Sequence, residues 1–392
     1  METKRIDFVD LAKGICILLV VLYHINVPIP YMELASCFRM PLYFILSGLF
    51  FKDYGGFKFF FVKKTNKLAI PWLFFYTFYA ALFPLYFFLY GVLFKDLSGF
   101  KSFCVNKKYR LAIPSVFFYT FGAIVIAAFL YIAFPFRYEE LLSGTGQILS
   151  FYYEKPHRLP VSIWFLLCLF ILNLLFYIVF AISKRISNLF SKTNPSRPFV
   201  ISLISLSLII GCFGYYLDII HVNLYMHIDS ALTVMPFFCF GFLLRKYTNV
   251  LYPNRFDKFN FLFIIIAFVL IYLIGHFKSS YRYNSYQVSL IILYFTGIIG
   301  TVAILFIAKY IKKLPVISYI GRYSIIVLCT HEFIIITTRT LLNATHLDIN
   351  DFLRLIIILT IVIAIETIVV IPFMIKYMPH VTAQKDVIIL KQ

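Results

Sequence analysis

Long, uninterrupted apolar runs constrain this chain of 392 residues more than any other feature. The runs are roughly 18 to 26 residues long, and about 20 apolar residues are enough for a helix to cross the hydrocarbon core of a bilayer. Hydrophobic residues make up 62% of the chain and charged residues 14%, so a soluble fold would leave too much apolar surface in water. The runs also lack the alternating pattern of membrane β-barrel strands. The sequence therefore predicts an all-α membrane protein, a polytopic helical bundle.

Eleven apolar segments are candidate membrane spans. They cover about residues 8–28, 36–51, 69–94, 111–135, 160–183, 198–217, 229–245, 259–276, 286–309, 318–340 and 352–378. The polar stretches between these segments are too short to form a separate soluble domain. We therefore expect residues 1–392 to form a single membrane-embedded domain.

The net charge of +19 has two interpretations. In a soluble protein such a charge would suggest nucleic acid binding. In a membrane protein, lysine and arginine concentrate in cytoplasmic loops, so we expect the lipid bilayer, and no nucleic acid, as a partner. The seven cysteines are scattered and form no CxxC pair, so we expect neither a metal site nor a bound cofactor.

A tandem repeat interrupts the regular succession of spans. Residues 41–78 and 84–121 align with a 43-residue offset and are identical at 24 of 38 positions. Repeat architectures need three or more units, so two copies indicate a local duplication within one domain.

Basic residues predict the orientation of the spans. Lys4 and Arg5 place the N-terminus in the cytoplasm. The loops at 52–68 and 95–110 each hold five basic residues, and both favour the cytoplasmic side. A single crossing at 69–94 would put these two loops on opposite sides of the membrane.

Segment 69–94 is therefore open to two interpretations. If it is a re-entrant or interfacial hairpin, bent near Phe83 and Pro84, the downstream basic loops all face the cytoplasm. If it is an ordinary eleventh span, one basic loop violates the positive-inside rule. We predict the first topology, with ten crossings and both termini cytoplasmic, in the plasma (inner) membrane.

Ionisable residues on one face of the first span are the strongest functional signal. Lys13 and His24 are eleven positions apart, and eleven helical steps of 100° return to within about 20° of the start. Asp10 falls about 40° away on the same face. Intramembrane ionisable groups are costly and mark functional sites by default. The alternative is that Lys13 extends to the interface and His24 lies at the outer end of the helix.

Arg39 opens the second span, beside the outer end of the first. At that depth it could stabilise an oxyanion or hold an anionic group. The alternative is an interfacial arginine that binds a lipid headgroup.

Clustered basic residues precede a Pro-containing helix start in both copies of the repeat. The first copy has Lys64 and Lys67, and the second has Lys107 and Arg110. Either pair suits a phosphate-rich ligand that arrives from the cytoplasm. Anchoring of the loop by the positive-inside rule would explain the same residues.

Two later spans also hold ionisable side chains. Glu366 lies in the middle of the last apolar run and needs a partner, as a site residue or as an inward hydrogen-bonded carboxyl group. His331 lies in the span before it, where packing and hydrogen bonding would also account for it.

The order of these motifs resembles that of the acyltransferase 3 family, polytopic membrane O-acyltransferases that acetylate surface glycans. The motifs that carry the resemblance are Lys13 with His24, Met40 to Gly48, Lys64/Lys67 or Lys107/Arg110, Trp164-Phe165-Leu166, Pro236 to Gly241, and Gly321 with Ser324 and His331. Lys13 stands where the family usually has arginine, which keeps the charge but loses the bidentate fork. The duplication leaves open which copy of the basic loop binds the donor.

The resemblance implies an O-acetyltransferase that uses acyl-CoA, such as acetyl-CoA, as co-substrate and a carbohydrate acceptor such as a polysaccharide. His24 would be the general base or would briefly carry the acyl group, with Asp10 and Arg39 also in the catalytic site. Lys13 and the basic loop residues would hold the donor, and Glu366, His331 and Ser324 are further intramembrane candidates. The alternative function is a transporter or flippase for a glycan or small acid. Such proteins have inverted repeats of several spans, which the direct and local 43-residue repeat does not supply.

Overall fold

The computed structural model describes residues 6–79, 162–190, 196–248, 258–344 and 349–389. These residues are helical apart from loops and one short antiparallel ribbon, which confirms the all-α prediction. The chain divides into two compact units, Met1–Lys67 with Cys168–Gln392, and Leu68–Leu167. The second copy of the repeat, the predicted bend near Phe83, and the side chains of Lys107 and Arg110 lie outside the described residues.

The α-helices whose two ends both lie within the described residues follow one another in chain order. They are α1 (Asp7–Ile25), α2 (Met32–Leu49), α3 (Phe57–Lys64), α4 (Trp164–Phe190), α5 (Ser196–Ile219), α6 (Ile228–Thr233), α7 (Met235–Tyr247), α8 (Lys258–Ile274), α9 (Leu290–Ile311), α10 (Pro315–Arg322), α11 (Ser324–Ala344), α12 (Asp351–Ile365) and α13 (Ile371–Tyr377). One π-helical segment, Thr65–Ala69, extends α3, and a second, Glu366–Val370, joins α12 to α13. Strands β1 (Ser279–Ser280) and β2 (Ser285–Tyr286) pair antiparallel.

Several of these helices are suited to crossing a bilayer. Within the described ranges, six are long and apolar enough, and the bent pair formed by Tyr225–Thr233 and Met235–Tyr247 would be a seventh. Their number makes this a multi-pass membrane protein. The prediction of ten crossings is not confirmed, because segment 69–94 continues beyond the described residues.

Two predicted spans are broken rather than continuous. The segment at 229–245 bends by 55° between α6 and α7, where Pro236 is the second residue of α7. Proline has no backbone N–H, and its ring clashes with the carbonyl group four residues earlier. The segment at 318–340 is divided between α10 and α11 at Tyr323, whose backbone is not helical.

Large apolar side chains cover the outer surfaces of the helices. On α8, Phe259, Phe261, Val269 and Leu273 are all exposed. A continuous apolar surface of this kind is unfavourable in water, whereas the hydrocarbon of a bilayer solvates it. The exposed face of α8 therefore supports the membrane assignment.

The backbones of α2 and α7 touch at two glycines. A Cβ atom at Gly48 would lie 2.0 Å from the carbonyl oxygen of Phe238, and one at Gly241 would lie 2.0 Å from the carbonyl oxygen of Ile45. Only residues without a side chain permit this approach, as is common where membrane helices cross. The contact brings the C-terminal end of α7 beside the C-terminal end of α2.

A second pair of glycines joins α1 to α10. A Cβ atom at Gly321 would lie 1.9 Å from the carbonyl oxygen of Asp10, and one at Gly14 would lie 2.0 Å from the carbonyl oxygen of Ile317. Helix α1 is therefore fixed along its first half by α10, close to Asp10 and Lys13.

We expect Gly241→Ala to destabilise the protein by about 1–3 kcal/mol, because the added methyl group must push α2 and α7 apart. The measurement is the equilibrium unfolding midpoint in mixed micelles. Gly56→Ala is the matched control, since a Cβ atom there meets nothing within 4 Å and its backbone is extended. An unchanged midpoint for Gly241→Ala would contradict the close contact.

Candidate active site

His24 lies in the last turn of α1 with its proton position fixed by the helix itself. Its Nδ1 atom is 2.8 Å from the carbonyl oxygen of Val20, one turn earlier. A carbonyl oxygen only accepts hydrogen bonds, so Nδ1 carries the proton and Nε2 keeps its lone pair. The side chain is half-buried. His24 is therefore oriented as a base that presents Nε2.

A second imidazole packs against the first. The rings of His24 and His331 have centroids 5.1 Å apart and meet edge to face at 78°. His331 is fully buried in α11, and its Nδ1 atom is 2.7 Å from the carbonyl oxygen of Val327. The structure thus brings together two candidates that are 307 positions apart in the sequence, with His331 as a fixed support for one side of His24.

Arg39 lies beside this pair on α2. Its guanidinium carbon is 4.0 Å from the ring centroid of Tyr23, the residue before His24. The guanidinium is buried, and its Nε and Nη1 atoms have no hydrogen-bond partner among the described residues. Unpaired donors in a buried position are suited to hold a negatively charged oxygen.

Arg339 fixes the end of α1 and is a site residue that the sequence analysis missed. Its Nη2 atom donates to the carbonyl oxygen of His24 at 3.3 Å and also to that of Ile25. These carbonyl groups have no partners within the helix. A cation at the C-terminus of a helix also interacts favourably with the helix dipole. The position of Arg339 within the apolar run of α11 could have identified it, because charged residues inside membrane spans are usually functional.

The opposite half of α1 carries Asp10 and Lys13. Asp10 is buried, and Lys13 places its Nζ atom 5.3 Å from the ring centroid of Phe50, at the end of α2. At 1.5 Å per residue, Lys13 is about 16 Å from His24 along the helix. The structure therefore places Asp10 and Lys13 in the first half of α1, away from His24 in its last turn.

One family model matches nearly the whole chain. The acyltransferase 3 model, described as an acyltransferase domain, matches residues 6–83 and 82–371. This chain belongs to the acyltransferase 3 family. The family resemblance seen in the sequence is confirmed, and the protein is a membrane acyltransferase. No significant match was found among curated proteins or among solved structures.

The basic segment of the first repeat holds the C-terminal part of the acyltransferase. Lys63 pairs with Asp386 at 2.5 Å, and Lys67 donates to the carbonyl oxygen of Ala383 at 2.5 Å. The Asn66 side chain accepts the N–H groups of Val387 and Ile388 and donates to the carbonyl oxygen of Ile388. Lys67, predicted to bind a phosphate, therefore contacts the protein's own backbone.

Lys64 has different surroundings from Lys67. Its Nζ atom lies 5.7 Å from the ring centroid of Phe60, and burial lowers its pKa to about 8. Among the described residues it makes no ion pair. Of the two lysines predicted together, Lys64 is the better placed to meet a ligand.

Ser324 lies at the first position of α11. Its side chain lies close to that of Tyr43, and the Tyr43 hydroxyl donates to the Lys13 carbonyl oxygen at 3.4 Å. The structure therefore places Ser324 nearer to Lys13 than to His24.

Glu366 is buried in the π-helical segment and contacts Thr330. The Thr330 hydroxyl lies 2.7 Å from Oε1 of Glu366 and 2.8 Å from the carbonyl oxygen of Ile326. A hydroxyl group has one proton, and the carbonyl oxygen can only accept. Thr330 either shares its proton between the two acceptors or donates to Ile326 and accepts a proton from a neutral Glu366. A neutral carboxyl group also suits a buried membrane position better than a carboxylate.

We expect Glu366→Gln to preserve stability, because an amide can both accept from Thr330 and donate to it. Glu366→Ala should cost about 1–3 kcal/mol, since the Thr330 hydroxyl loses this partner. The unfolding midpoints of the three proteins in mixed micelles provide the comparison. Equal losses for Gln and Ala would show that Glu366 is ionised and that its charge is needed.

Proposed function

We propose that this acyltransferase moves an acyl group, acetyl in the simplest case, from cytoplasmic acyl-CoA to a hydroxyl group of a cell-surface or lipid-linked glycan. The observation that carries the proposal is the orientation of His24, whose Nδ1–H is held by Val20 while Nε2 keeps its lone pair. An O-acyltransferase needs such a base, because a sugar hydroxyl is a weak nucleophile until its proton is removed.

The geometry supports a direct transfer. Nε2 of His24 takes the proton of the acceptor hydroxyl as its oxygen attacks the thioester carbonyl carbon. The buried guanidinium of Arg39 stabilises the negative charge on the carbonyl oxygen. The intermediate then collapses, the carbon–sulfur bond breaks, and the imidazolium returns the proton to the departing thiolate. His331 and Arg339 act as positioning residues, because they hold the ring and the helix end that carries it.

The donor would reach this site from the cytoplasmic side. Lys13 and Lys64 suit the phosphate groups of CoA, and Asp10 lies on the same face of α1 as Lys13. Lys107 and Arg110 of the second copy remain candidates for the same role from the family resemblance. In this arrangement both termini are cytoplasmic, the chain crosses the plasma membrane ten times, and segment 69–94 does not cross.

We expect His24→Ala to lower the transfer of labelled acetyl from acetyl-CoA to envelope glycan by about 10²- to 10⁴-fold, the usual contribution of a general base. The assay uses membrane vesicles with matched expression. His221→Asn is the control, because His221 is an exposed histidine with a left-handed backbone (φ 55°) that asparagine also adopts.

Equal transfer by wild type and His24→Ala would remove His24 from the mechanism. A wild type that transfers no label, with folded protein present, would contradict acetyl-CoA as donor or glycan as acceptor.

We expect kcat/KM for acetyl-CoA to fall as the pH rises through about 8 if Lys64 binds the donor. Burial lowers the pKa of Lys64 to about 8, so its ammonium group is charged below that pH and neutral above it. A neutral amine pairs poorly with phosphate, and kcat/KM reports the groups of the free enzyme. Lys64→Arg stays charged throughout and should remove this decrease. The same decrease in Lys64→Arg would assign it to another group.

A further inference from the structure

The ring of Phe50, at the C-terminal end of α2, gathers two cations from two different helices. Lys13 of α1 places Nζ 5.3 Å from the ring centroid, and Arg245 of α7 places its guanidinium carbon 5.7 Å from it. All three side chains are half-buried, so they are held in place and are still within reach of a ligand.

The position of Arg245 follows from the fold. The close contact at Gly48 and Gly241 brings α7 against α2, and Arg245 follows Gly241 by one helical turn. One N–H group of Arg245, on Nη1, donates to the carbonyl oxygen of Leu49 at 3.2 Å. A guanidinium group has five N–H donors in a planar fork, so this bond orients the group and leaves other donors for a second acceptor.

A third cation lies over the aromatic ring that packs against Phe51, the residue after Phe50. Phe51 packs on Phe60 with centroids 5.6 Å apart, and Lys64 lies over the Phe60 ring. Asp10 supplies one carboxyl group on the Lys13 face of α1, so the surroundings of Phe50 stay positively charged. Lys13 and Arg245 share the Phe50 ring. Like charges in a partly desolvated site repel one another, and a multiply charged anion relieves that repulsion.

We propose that Lys13 and Arg245, gathered around Phe50, bind the diphosphate of the acyl-CoA donor. This assignment rests on the proposed function and adds Arg245 to it. Arginine recognises phosphate through its planar fork and lysine through a point charge, so a diphosphate can contact both groups. The site lies about 16 Å along α1 from His24, which separates the charged part of the donor from the thioester.

The test measures binding of CoA and of inorganic pyrophosphate to the purified protein in phosphatidylcholine nanodiscs. Arg245→Gln should weaken CoA binding about 10- to 100-fold, the effect of losing a charge-assisted contact. It should raise KM for acetyl-CoA and leave kcat unchanged. Arg245→Lys should recover part of the affinity. Lys246→Gln is the matched control, because that neighbouring cation packs instead on Phe199, 4.3 Å from its ring centroid.

If Arg245→Gln fails to fold, Lys13→Gln provides the same comparison. Wild-type affinity in both folded variants would overturn the proposal. Arginine-dependent binding of pyrophosphate without binding of CoA would keep an anion site but overturn the acyl-CoA assignment and the proposed donor. If phosphatidylglycerol in the nanodisc abolishes binding of both probes, the site belongs to a lipid headgroup and the proposal is wrong. CoA binding that depends on Arg245 without any acetyl transfer would leave this inference standing and count against the proposed function.

Discussion

The backbones of α2 and α7 touch at Gly48 and Gly241, and the placement of charged side chains at this end of the molecule depends on that contact. A side chain at either glycine would separate the helices and move Arg245 away from Leu49 and Phe50. In a bilayer no hydrophobic gain drives helix association, so close packing of small residues supplies much of it. The same contacts that hold the bundle together therefore also position its cations.

Helix α1 connects the region around Lys13 with the region around His24. Its first half is fixed against α10 through Gly14 and Gly321, and its last turn is fixed by Arg339. A rigid rod between these anchors keeps Lys13 and His24 at a constant separation. The proposed acyl-CoA donor, with its charge at one end and the reacting carbon at the other, would match this separation.

Local sequence features allowed part of this arrangement to be predicted. Apolar runs located most helices, and helical periodicity placed Lys13 and His24 on one face, because both depend on neighbouring residues only. The contact of His24 with His331 and the cap that Arg339 provides join segments more than 300 positions apart. Such contacts depend on which helices pack together, and a single sequence holds no signal for that. The break at Val234 escaped prediction because apolar residues lie on both sides of it, and the break at Tyr323 because the short polar stretch from Gly321 to Ser324 was included in one apolar segment.

The two copies of the duplicated segment differ at residues with which the first copy contacts the C-terminal segment. In the first copy, Lys63 and Asn66 bind the C-terminal segment through Asp386 and the backbone of Ile388. The aligned residues of the second copy are Asn106 and Tyr109, which cannot form the same ion pair or the same paired amide contacts. The basic pair Lys107 and Arg110 is nevertheless kept. The family model also ends one match and begins the next at residues 82–83, at the junction of the copies. The second copy therefore lacks two of the side chains with which the first copy binds the C-terminal segment, whereas the cation at the Lys67 position is kept as Arg110.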